Sequence, residues 1–132
     1  MKELKLSLVV TVGMERTDVN ALEEALVAQW RAAAPRLLVQ AMAAVERRAL
    51  AACGRCEGCG GRWRRNGHKP RTLETLVGTV RIARVRVRCQ QCGQERYPLD
   101  EALGLKAGEK HTLGVRELAL WTAVEISHLP PA

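Results

Sequence analysis

The sequence contains no phenylalanine, and aromatic side chains of every kind make up only 3% of its 132 residues. Any core it forms must therefore be aliphatic, filled by Leu, Val and Ala. It also lacks a targeting segment: Met1-Lys2-Glu3 leads straight into LKLSLVVTVG, which is too short and too alternating for a secretory signal or a membrane span. These absences predict a cytoplasmic chain that does not enter a membrane. There is no internal repeat and no low-complexity tract. The 14 acidic residues adjoin one another only as sequence neighbours, as in Glu23-Glu24 and Asp100-Glu101, so no set of carboxylates for metal-dependent phosphoryl transfer is nominated. His68, His111 and His128 stand apart, none at ligand spacing from a cysteine or another histidine, and are expected to be surface or capping residues.

What is present is concentrated between Cys56 and Cys92. This stretch opens with CEGCGG and closes with CQQCGQ, so each end is a Cys-x-x-Cys followed at once by glycine. A two-residue spacer lets both thiolates of a tight turn face one ion, and the glycine lets backbone amides swing toward the sulfurs. Cys56, Cys59, Cys89 and Cys92 are thus the expected ligands of one zinc ion. In a reducing compartment such pairs mean metal or redox chemistry rather than a disulfide frame. A thioredoxin-like dithiol would sit in a βαβ context, which this sequence does not offer. Cys53 makes five, an odd number; Cys53-x-x-Cys56 is also a legitimate spacing, but it lacks the following glycine, and Cys53 is read as a spectator at a helix end. A metal would also staple a fold of this size.

The charge is as uneven as the cysteines. From Arg55 to Arg96 there are eleven basic residues (Arg55, Arg62, Arg64, Arg65, Lys69, Arg71, Arg81, Arg84, Arg86, Arg88 and Arg96) against Glu57, Glu74 and Glu95, a net +8, whereas the remainder of the chain carries −1. Four zinc-bound thiolates would lower the stretch only to +6. A field of that sign on so small a module points to a polyanionic partner, DNA first.

Taken in order, residues 4–12 alternate Leu4, Leu6, Leu8, Val10 and Val12 with polar or smaller neighbours, the pattern of a half-buried strand stopped by Gly13. Asn20, with Glu23 three residues on, reads as the capping box of a helix whose apolar stripe is Leu22, Leu26, Trp30 and Ala33, then Leu38, Met42, Val45 and Ala49. Pro35 is expected to kink or restart it near Ala34. GGRWRRNGHKPR reads as a basic loop, followed by a hairpin of Thr72–Val77 and Thr79–Arg88 turning at Gly78. Within the second strand the apolar parity changes between Val80, Ile82 and Val85, Val87, which predicts a bulge near Ala83-Arg84. Arg84, Arg86 and Arg88 would then share one face. Trp63, among arginines, has two readings, a stacking platform for a base or sugar and a lid over the first cysteine turn. A short Pro98-initiated turn or helix, the loop KAGEK and a last helix capped by Thr112, with the stripe Val115, Leu118, Ala119, Thr122 and Ile126, run to Pro130-Pro131.

The fold expected is α+β: residues 1–52 a strand and kinked amphipathic helix, 53–97 a four-cysteine zinc ribbon with a long β-hairpin, 98–132 a turn and C-terminal helix. The stretch CEGCGGRWRRNGHKPRTLETLVGTVRIARVRVRCQQCGQERYPLDEALGL resembles the N-terminal zinc-ribbon region of bacterial insertion-sequence transposases of the Kra type. The shared features are Cys56 and Cys59, Thr75, Gly78, Val80 and Arg84 of a hairpin signature, Cys89 and Cys92, Pro98-Leu99-Asp100 and Leu103-Gly104-Leu105. The resemblance covers about 50 residues. It implies the DNA-binding N-terminal part of a longer enzyme, whose acidic triad lies in a downstream RNase H-like domain, so that no residue here is catalytic and the chain binds the element's ends, nucleoid-associated, without cutting them. The residues expected to meet DNA are Arg62, Trp63, Arg64, Arg65, Lys69, Arg71, Arg81, Arg84, Arg86 and Arg88. A second copy joined through the N-terminal helix is a further expected partner. The rival readings are a stand-alone zinc-ribbon transcription regulator of the antitoxin type, a zinc ribbon for protein contacts, which predicts weak salt dependence, and a thiol oxidoreductase, which zinc removal would activate.

Overall fold

The computed structural model describes residues 3–127, the last three of them as backbone only. His128 and the Pro130-Pro131 stop of the last helix lie outside the described residues, as does the side chain of Ile126. The elements are α1 (Val19–Ala51), β1 (Trp63–Thr75), β2 (Gly78–Cys89), β3 (Glu95–Arg96), α2 (Pro98–Leu103) and α3 (Leu113–Ser127). The chain is α+β, with one three-stranded antiparallel sheet in the order β1-β2-β3. No helix among the described residues is long and apolar enough to cross a membrane.

Helix α1 begins earlier than its capping-box signal suggested. Asp18, in an extended conformation, accepts a hydrogen bond from the Ala21 amide at 2.9 Å, so a carboxylate meets the first turn's free donors and the positive end of the dipole. Asn20 lies inside that turn. The helix then runs 33 residues, about 50 Å, straight through Pro35 without restarting. Proline here costs the bond to the Arg31 carbonyl. Its ring is instead seated against the tip of the hairpin: a Cβ built on Gly78 would stand 3.4 Å from Pro35 Cγ, and the preceding Ala33 and Ala34 are buried.

The hairpin is longer than its sequence signal. The stretch read as a basic loop is the first half of β1, which pairs with β2 from Trp63↔Cys89 to Thr75↔Gly78. Leu76-Val77 form a two-residue turn, held by Thr75 Oγ1 donating to the Gly78 carbonyl at 2.6 Å and accepting from the Val77 amide at 3.2 Å. Gly67 and Pro70 read as loop punctuation, yet both suit an edge strand. Pro70 gives up a donor that would face away from the sheet, and Gly67, at φ +77°, occupies a bulge. That bulge falls between Arg65 and His68, not at Ala83-Arg84. Asn66 and Gly67 together oppose Arg86, the two-against-one count that bends and twists a strand. The parity change on β2 is nonetheless real in burial: Val80, Ile82 and Arg84 are buried on one side, then Val85, Val87 and Cys89 on the other.

The core lies where α1 and α2 cover the hairpin. Met42, Leu73, Val80, Ile82 and Leu99 are buried together, with Leu38, Val39, Val45, Leu103 and Leu105 packed around them. It is aliphatic throughout, as the absence of phenylalanine requires. Glu46 of α1 adds a polar tie by accepting the Val85 amide at 3.0 Å. Residues 4–12 join no ladder in this chain. They lie along α1, where Leu6, Leu8 and Val10 line a groove of about 620 Å³ with Leu26, Val27 and Trp30.

Candidate metal centre and its basic surround

The hairpin's open end carries the cysteines. Cys56 and Cys59 lie on the turn that leads into β1, and Cys89 and Cys92 lie on the turn that leaves β2. The two turns are built alike. Gly60 N–H donates to the Cys56 carbonyl at 2.7 Å and Gly93 N–H to the Cys89 carbonyl at 3.1 Å, and Gly60 and Gly93 have φ of +73° and +77°. Only glycine takes that conformation without strain, which is why each Cys-x-x-Cys is followed by one. The Cys56 amide bonds the Gly61 carbonyl at 2.9 Å and the Cys89 amide the Gln94 carbonyl at 2.8 Å, fastening the turns' first cysteines.

Strand pairing then brings the turns together. The ligand atoms of Cys56, Cys59, Cys89 and Cys92 all lie within 4.8 Å of one another, with Cys56 and Cys92 sulfurs 3.7 Å apart and Cys59 and Cys89 sulfurs 3.3 Å apart. A tetrahedral tetrathiolate with metal–sulfur bonds of ~2.3 Å needs sulfurs ~3.8 Å apart. The cluster fits a metal ion. Cys56 and Cys89 are buried and Cys59 and Cys92 exposed, so the ion's place lies at the rim of the fold. Cys53 stands outside the cluster, as do His68 and His111.

The thiols are not equivalent. Amide donors from Cys92 and then Gln91 hold the Cys89 thiol down at about 6. At Cys59 the Gly61 amide pulls the same way, but the neighbouring Cys89 sulfur, burial and the other two sulfurs outweigh it and push that thiol up to about 11. A bound cation displaces the remaining thiol protons. Gly61 fences one side: a Cβ there would stand 2.7 Å from Cys89 Sγ and 3.1 Å from Gln91 Cβ.

The ten residues expected to meet DNA fall into distinct groups. Arg62, Arg64, Arg65, Lys69, Arg81 and Arg88 are exposed, and among the described residues none of them forms an ion pair. Arg64 and Arg88 are direct cross-strand partners, so their like charges share one face. Arg64, Arg65, Asn66, Gly67 and Arg88, with residues 89–93, line a polar cleft of about 820 Å³ beside the second cysteine turn. Arg86 is half-buried, its Nε donating to the Asn66 carbonyl at 3.0 Å and its guanidinium 3.8 Å from Glu95.

Arg71 and Arg84 are differently placed. Both side chains are about nine-tenths buried and both grip the same Asp100 oxygen, Arg71 at 3.1 Å and Arg84 more closely. Arg71 also donates to the Lys106 and Glu109 carbonyls at 2.6 and 2.8 Å. Arg84 donates to the Lys69 carbonyl at 3.3 Å and stacks 4.1 Å over the Tyr97 ring. These two arginines tie the hairpin to α2 and the loop after it, and Arg84 does not share an outer surface with Arg88. Trp63 is half-buried beside Cys89, with its indole N–H enclosed and the Arg96 guanidinium 4.9 Å over its ring, the arrangement of a packed lid.

Asn66, Gln90 and Gln91 belong to the cleft and were not singled out from sequence. No protein-family model, curated protein or solved structure matches the chain.

Proposed function

We propose that this chain is a zinc-stapled DNA-binding module that recognises without chemistry, the role implied by its resemblance to the ribbon region of Kra-type insertion-sequence transposases. One zinc held by Cys56, Cys59, Cys89 and Cys92 fixes the open end of the hairpin. That end presents Arg64, Arg65 and Arg88 to phosphates, with Arg62, Lys69 and Arg81 as outlying contacts. The observation that carries this reading is the cleft itself: three exposed arginines with no carboxylate partner, two of them directly opposed across strands, beside a four-cysteine cluster. Like charges set opposite each other destabilise a sheet, and an anion lying between them reverses that penalty. A tetrathiolate ion has no open position to activate water; its contribution is to hold the hairpin's angle.

The test joins metal and DNA. Purified chain is expected to hold one zinc, lost in Cys59→Ser and Cys89→Ser and kept in Cys53→Ser. Fluorescence anisotropy with a labelled duplex should show binding that disappears on chelation and returns with zinc, the duplex staying intact in magnesium. Zinc lost from Cys53→Ser but retained in Cys59→Ser, or equal DNA binding by the chelated chain, would contradict the proposal.

A further inference from the structure

We infer that residues 4–12 form an antiparallel two-stranded ribbon with the same residues of a second copy, laid across the N-terminal halves of two α1 helices. This rests on the N-terminal half of the molecule and is independent of the metal and DNA reading.

The segment is extended and its backbone is unpaired. Arg48 of α1 donates to the Glu3 carbonyl at 2.8 Å, while Leu6, Leu8 and Val10, alternate residues of the segment, line one groove with Leu26, Val27 and Trp30. Alternate side chains directed to one surface are the period of an extended strand. Among the described residues, no backbone amide or carbonyl from 4 to 12 bonds another backbone group. A run of strand-forming residues in strand-like extension, with a full row of free donors and acceptors, is an open edge ready to template a second strand.

The pattern is self-complementary. Leu4, Leu6, Leu8, Val10 and Val12 share one parity and are spaced evenly about Leu8. An antiparallel pair centred there sets Leu8 on Leu8, Leu6 on Val10 and Leu4 on Val12, with these five apolar residues on one face and Val9 on the other, across from Ser7. The same register places Lys5 across from Thr11, so no like charges meet. Such a pair has the two-fold symmetry of an isologous dimer.

The face beneath is incompletely covered. Leu6 and Val10 remain 42% and 39% exposed although they line the α1 groove, and on α1 itself Leu22, Leu26 and Trp30 are 42%, 48% and 60% exposed. The three helix positions lie four residues apart on one stripe. Side chains of this size with that exposure offer several hundred Å² per copy, and two copies reach the ~1,000 Å² at which a specific interface begins. A second copy satisfies the backbone edge and the apolar face at once. An unrelated apolar ligand in the groove would answer only the second.

Sedimentation equilibrium of the zinc-loaded full chain, from about 1 to 100 µM, decides it. The expected mass is twice the 14.6 kDa chain, with Leu8→Pro and Val10→Glu each weakening dimerisation at least tenfold and Lys5→Ala without effect. Helical circular dichroism and cooperative thermal unfolding of the variants show that they remain folded. In a Cys53→Ser background, Leu8→Cys should crosslink between copies under oxidation and Thr11→Cys should not. A monomer at every concentration, or a dimer untouched by Leu8→Pro, would overturn the inference.

Discussion

Two kinds of arginine share the hairpin, and they differ in what stands opposite them. Arg84 and Arg71 converge on Asp100 behind a nearly closed surface, so removing one leaves a buried carboxylate half-compensated. Arg84→Ala is expected to cost about 3 kcal/mol of stability, read by urea or thermal unfolding of zinc-loaded protein. Arg64→Ala, on an exposed side chain with no ion pair, should fall within about 0.5 kcal/mol. Equal losses would mean that Arg84 is not held as described. Nothing in the sequence separates these arginines: the partner is 16 residues from one and 29 from the other, on a helix whose approach is set by the core. The cysteines were legible because their constraint is local. A Cys-x-x-Cys-Gly turn carries its own geometry, down to the positive φ of Gly60 and Gly93.

At the scale of elements, long periodic signals read correctly and short punctuation misled. The stripe from Leu22 to Ala49 gave α1, although Pro35 suggested an interruption; the helix crosses it because the hairpin tip packs against the ring. Gly67 and Pro70 suggested a loop, but on an edge strand one makes the bulge and the other forfeits an unneeded donor. Residues 4–12 carried a strand pattern that finds no partner within one chain. The turns also contain a glycine, Gly61, that sequence read only as loop punctuation. Gly61 lets β1 pass close to Cys89, and a methyl there would press on its sulfur at 2.7 Å. Gly61→Ala should weaken zinc binding on the order of tenfold, measured by competition with a chromophoric chelator. Unchanged affinity would show that the turn yields freely.

Across the whole molecule, the cysteine cluster with its arginine cleft and the largest exposed apolar side chains lie on different elements. The hairpin's open end holds the cysteine cluster and the exposed Arg64, Arg65 and Arg88, whereas exposed leucines, valines and Trp30 gather on α1 and the N-terminal segment, with Leu113, Leu118 and Trp121 on α3. The whole-chain charge of +7 would draw any polyanion weakly, so affinity alone does not locate the interface. Its salt dependence does, because each phosphate contact releases counterions. The deciding measurement is the slope of log binding constant against log salt for wild-type chain and for Arg64→Ala/Arg65→Ala/Arg88→Ala, both zinc-loaded, on one duplex. The triple variant should lose about 0.9 of slope per arginine that contacts a phosphate while keeping its zinc and fold. A slope unchanged by all three substitutions would contradict it.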